Sequence, residues 1–176
     1  MAWNNRPLTL YHGTDDLGAA AILQPSPPLK HSINLSLCSA LTDFGQGFYT
    51  TTNLRQAKSW ANTRYLLGQQ RPTNKPSCAT VLTFKVDRNS LASMHSMTFV
   101  TEGSLRGDFW DLVSHCRNQV GPHMSHGHSN YDVVFGPVTN WPQTFVIKDC
   151  DQISFHTIQS LVILPKPKQS KGKPIF

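Results

Sequence analysis

The sequence predicts an α+β fold with mainly antiparallel strands. Three observations carry that expectation. Segments of strand period and of helix period both occur; they follow one another without regular βαβ alternation; and the chain shows no internal repeat. Its 176 residues suffice for one domain with a real core. Hydrophobic content of 39% against 15% charge marks a globular chain rather than a disordered one. The expected organisation is a single domain over residues 1–165, followed by a basic, disordered tail over 166–176.

Leu8–Tyr11 alternates and carries β-formers, so it reads as a strand that stops at His12-Gly13-Thr14. Asp15–Leu23 places Leu17, Ala20 and Ala21 on one helical face. Gln24–Leu29 holds three prolines and is loop, and Ser32–Leu41 is ambiguous. The stretch Asp43-Phe44-Gly45-Gln46-Gly47-Phe48-Tyr49-Thr50-Thr51-Thr52 packs two glycines, three aromatics and a run of hydroxyls into ten residues. It predicts a tight turn, a strand beginning at Phe48-Tyr49, and hydroxyls or Asn53 to cap a helix. Leu54, Ala57, Ala61 and Tyr65 then recur with helical spacing, ending near Gly68. Cys78–Val86 is the clearest strand, with Thr80, Leu82, Phe84 and Val86 on one face. Met97–Val100 is a weaker strand. Phe109, Leu112, Val113 and Cys116 mark the buried side of a helix. Tyr131–Val138 is an apolar strand ended by Gly-Pro. Thr144–Ile147 and Gln152–His156 are further strands, and Ser160–Leu164 is either a strand or a helical turn.

No apolar run approaches the roughly 20 residues of a membrane helix, and the first residues lack an apolar signal core. The expected location is cytoplasmic or nuclear, with export by a dedicated secretion system left open. Four scattered cysteines with no CxxC pair suit free thiols better than a disulfide framework. The net charge of +6 favours a polyanionic ligand or partner. Part of that excess is Lys166, Lys168, Lys171 and Lys173, read as a solvated end. His115, Cys116, His123, His126 and His128 raise the question of zinc, but they lack convergent spacing on a defined scaffold, so no metal is expected.

Taken together, Tyr11-His12-Gly13-Thr14, a glycine-flanked Tyr49, Trp60 on the following helix and a late polar residue opening a strand form a constellation. It resembles the ADP-ribosyltransferase superfamily, in its diphtheria-toxin and poly-ADP-ribose-polymerase branch with a His–Tyr–Glu triad. It looks closest to a subgroup with DFGxGFYxT, YDVVxGPV and QISFHT motifs, and the likeness runs from about Leu8 to Leu164. The resemblance implies a split, mainly antiparallel β-sandwich with flanking helices, and NAD as co-substrate. It implies that His12 bonds a ribose hydroxyl, that the Gly13 backbone holds the nicotinamide carboxamide, and that Thr14 lies beside the adenosine ribose. Tyr49 would stack on nicotinamide, with Trp60, eleven residues later, facing it in place of the family's usual tyrosine. Such residue types suit the chemistry. Flat aromatic walls stabilise cationic character, amide contacts orient the leaving group, and a carboxylate polarises a ribose hydroxyl as charge develops.

The chain departs from that family at two places. Gln152 stands where the triad has glutamate, so it orients the ribose without a negative charge; Asp151 and Asp149 are held in reserve. Ala57 stands where polymerase members have a serine that bonds the carboxamide, a loss of about 1 kcal/mol. Chain extension is therefore disfavoured. The expected activity is single ADP-ribose transfer to a protein, DNA or RNA acceptor by a monomer that does not bind membranes. Cys150, two residues before Gln152, gives no arginine-directed signal. The alternatives are an NAD glycohydrolase, a catalytically silent binder of NAD or ADP-ribose, and a basic nucleic-acid module indifferent to NAD.

Overall fold

The computed structural model describes residues 5–100, 107–118 and 131–176. In chain order the elements are β1 (Leu8–Asp15), α1 (Asp16–Leu23), β2 (Phe48–Thr50), α2 (Leu54–Gln69), β3 (Ala79–Val86) and α3 (Arg88–Ala92). Then come β4 (Ser96–Thr98), α4 (Gly107–Asn118), β5 (Val133–Thr139), β6 (Val146–Phe155), α5 (Ile158–Val162) and β7 (Lys168–Lys171). Helices and antiparallel-rich sheets together make the fold α+β, as the sequence predicts. Among the described residues no helix is long and apolar enough to cross a membrane.

The chain divides into two compact units. Met1–Ile33, Thr50–Leu91 and Val162–Phe176 form the first; Asn34–Tyr49 and Ala92–Leu161 form the second. The two units are interleaved along the sequence. Hydrophobic period reports which residues are buried, not which segments are buried together.

In the first unit, β3 lies between β1 and β7, antiparallel to both. It is buried on both faces: Ala79 and Val81 pack with Ala57 and Ala61 of α2, while Leu82, Phe84 and Val86 fill the other side. Asn53 caps α2, its side chain accepting from the Arg55 and Gln56 amides at 2.9 and 3.3 Å. Asp15 caps α1 by accepting from Gly18 at 2.7 Å. Gly68 is not a left-handed cap. It sits inside α2 because Pro76 packs against it, and a Cβ there would lie 2.5 Å from the Pro76 ring.

The tail is a correction. Residues 168–171, expected to be disordered, pair with Thr80–Thr83 of β3. The Ala79 amide donates to Pro174 and the Gly172 amide to Ala79, at 2.7 and 2.9 Å. The Phe176 amide donates to Asn62 Oδ1 at 3.0 Å, and Lys58 Nζ lies 5.1 Å from the Phe176 ring centroid. Every side chain of β7 is exposed, so no apolar alternation announces the strand; backbone hydrogen bonds alone define it.

In the second unit the strand order is β2-β6-β5-β4, with β5–β6 antiparallel and β4–β5 parallel. Phe109, Leu112, Val113 and Cys116 of α4 pack with Phe44 and Val134 in the core, as their spacing predicts. The two short strands expected near Thr144 and Gln152 are one, β6, bent where Asp149 adopts a left-handed φ of 57°.

Candidate functional site

Each unit holds part of the expected constellation. In the first, His12, Gly13 and Thr14 lie on β1 opposite Leu82, Val81 and Thr80 of β3. Gly13 faces α2 at very close range. A Cβ there would stand 2.1 Å from the Ala57 carbonyl oxygen, 2.7 Å from the Ala61 amide nitrogen and 3.0 Å from Trp60 Cβ. Only glycine lets the helix backbone approach this far. The structure thus brings Gly13, Ala57 and Trp60 together, with Ala57 buried and Trp60 52% exposed. Side chains alternate along a strand, so His12 belongs to the opposite face of β1, with Leu10 and the buried Thr14. His12 is half-buried.

In the second unit the three sequence motifs close on one another. Gly45 takes a left-handed φ of 77°, turning the chain between Asp43 and Tyr49. Gly47 abuts the end of β6: a Cβ would lie 2.7 Å from His156 Nδ1 and 3.0 Å from the Phe155 carbonyl oxygen. His156 Nδ1 lies 2.9 Å from the Gln46 carbonyl, which accepts its hydrogen. Nε2 is thereby left to face Ser154 Oγ at 2.8 Å. A Cβ on Gly136 of β5 would fall 2.9 Å from the Phe44 ring. DFGQGFY, YDVVFGPV and QISFH are therefore the three sides of one packed knot.

Tyr49 is held there by its hydroxyl. It accepts from the Phe44 amide at 3.0 Å, donates to the Gly45 carbonyl at 2.8 Å, and lies 2.7 Å from Thr42 Oγ1. Its ring is half-buried, 6.5 Å from Phe44 in a stacked arrangement and edge-on to His156. Burial pushes the phenol far above its ordinary range, so it remains a neutral, fixed ring.

Gln152 is 7% exposed on β6. Its Nε2 donates to Asp43 Oδ2 at 2.6 Å and to the Pro137 carbonyl at 2.8 Å. Among the described residues nothing donates to its Oε1. Asp43, 2% exposed, also accepts from Arg117 Nε and Nη2 at 2.8 and 2.6 Å. Thr139 adds its amide at 2.9 Å and its hydroxyl at 2.6 Å. Sequence reasoning assigned no role to Asp43, Arg117 or Thr139. Asp43 and Arg117 are 74 positions apart, and only the presence of Asp43 in the motif hinted at it. Asp151, half-buried, neighbours Gln152 and alternates to the other face of β6, and Asp149 is exposed.

Cys38, Cys78, Cys116 and Cys150 are free thiols. Of the histidine-rich stretch considered for zinc, His123, His126 and His128 lie outside the described residues. Among the described residues no cluster of three His, Cys, Asp or Glu groups forms.

Residues 8–149 match a protein-family model described as "Protein of unknown function (DUF3990)". No curated protein and no solved structure matches.

Proposed function

The chain belongs to the DUF3990 family, and we propose that it is an NAD-dependent mono-ADP-ribosyltransferase acting on a macromolecular acceptor. The observation that carries this reading is Gln152: a nearly buried amide, both N–H groups spent, its oxygen met by no donor among the described residues. A buried acceptor without a donor costs free energy unless a ligand supplies one, and a ribose hydroxyl is such a donor. The half-exposed Trp60 ring beside Gly13, and the Tyr49 ring fixed by its hydroxyl, supply flat surfaces of the kind a pyridine ring stacks on.

In this reading His12 and Thr14 hold ribose hydroxyls and the Gly13 backbone holds the carboxamide. Ala57 leaves that group without a serine partner. Nicotinamide departs with the bonding pair, and the acceptor oxygen or nitrogen bonds to the ribose carbon and gives up its proton. An aromatic wall holds the ring while positive charge develops, the role that the resemblance gives to Tyr49 and to Trp60, and Gln152 Oε1 orients a ribose hydroxyl.

The test is incubation of the protein with labelled NAD and a lysate, with and without nuclease, beside His12→Ala. Label on protein, or on nuclease-sensitive material, that is lost in His12→Ala supports transfer. Free ADP-ribose without any acceptor turns the assignment to a glycohydrolase. No label and no released nicotinamide overturns it.

A further inference from the structure

Glutamate is the residue that the triad resembled here has at the Gln152 position, and the surroundings of Gln152 explain the exchange. Both acceptors of its Nε2, the Asp43 carboxylate at 2.6 Å and the Pro137 carbonyl at 2.8 Å, can only accept. Turning the amide over would press Oε1 against two oxygens, so its orientation is fixed and Oε1 is held away from them. A glutamate would set a second carboxylate beside that of Asp43 and against the same carbonyl. Asp43 is itself immobile: Oδ1 is engaged by Arg117 and the Thr139 hydroxyl, Oδ2 by the Thr139 amide and Gln152. An amide whose N–H groups bond an anion carries a more basic oxygen, because hydrogen bonds in a chain polarise one another.

We propose that Asp43 is the positioning residue of this site, locking Gln152 and lending it negative charge, so that Asp43 and Gln152 together replace the single carboxylate of a His–Tyr–Glu triad. Arg117 and Thr139 hold Asp43 in register, and Gln152 Oε1 is the atom that meets the ribose hydroxyl. The inference rests on the ADP-ribosyltransferase reading.

The experiment measures nicotinamide release from NAD by the full chain, as kcat and KM, for wild type, Asp43→Asn and Gln152→Glu. Asp43→Asn is expected to lower kcat by about 10- to 100-fold, the usual effect of losing an orienting partner, with KM for NAD within about threefold. Gln152→Glu alone is expected to lose activity, since a carboxylate at 152 can donate neither to Asp43 nor to the Pro137 carbonyl. A folded Asp43→Asn that keeps kcat within about twofold overturns the inference; so does a folded Gln152→Glu that keeps the wild-type kcat. A wild type that neither releases nicotinamide nor binds NAD by calorimetry brings down the transferase reading, and this inference with it. Should Asp43→Asn fail to fold, nitrogen-15 resonances of the wild-type Gln152 side chain decide. Exchange of both amide protons with solvent much slower than at an exposed glutamine supports the lock, and exchange as fast as an exposed side chain's overturns it.

Discussion

Two acid groups beside Asp43 are kept protonated by their surroundings. The Cys116 thiol is pushed up to about 12, first by burial and then by the Asp43 charge. The Tyr49 phenol is raised mainly by burial, with Asp43 adding to it. Each therefore keeps its proton in the folded protein over a range where the unfolded chain gives it up. The unfolded state then binds fewer protons, so stability falls as pH rises. For Cys116 the loss begins near the ordinary thiol value of 9.0 and is complete by about 12. Thermal unfolding midpoints are expected to fall steadily across that window, and less steeply in Cys116→Ala; an unchanged slope would remove the thiol from the account.

At the scale of elements, the decisive contact is β1 against α2. Gly13→Ala drives a methyl into the Ala57 carbonyl and the Ala61 amide, atoms that move only if the whole helix moves. A loss of about 3 kcal/mol in the denaturant-unfolding free energy is expected, at the upper end for overpacking. Elements with a periodic apolar face were readable from sequence: α2 through Ala57 and Ala61, β3 through Leu82 and Phe84, α4 through Phe109 to Cys116. Elements without such a face were not. Lys148–Cys150 is polar and mostly exposed, which split β6 in two on paper. Within the site the same division holds. Gly13 and Tyr49 stand in motifs with recognisable neighbours, whereas the Asp43–Arg117 pair comes from long-range packing that no local pattern encodes.

At the scale of the whole molecule, the chain passes back and forth between its units, and Val162–Phe176 returns to the first. Removing residues 166–176 strips β3 of a partner strand and takes Phe176 from the apolar cluster around Ala57 and Ala61. The truncated protein is expected to lose at least about 2 kcal/mol, reckoned from the ladder hydrogen bonds alone at about 1 kcal/mol each. The accompanying signature is faster amide exchange at 80–83, the residues that β7 covers. The pairing of β7 with β3 also sets a timetable for biosynthesis. On the ribosome β3 emerges long before β7, and until then it offers a bare hydrogen-bonding edge to whatever nascent strand lies nearby. Lysines at both ends of β7 then guard the finished sheet against the same encounter.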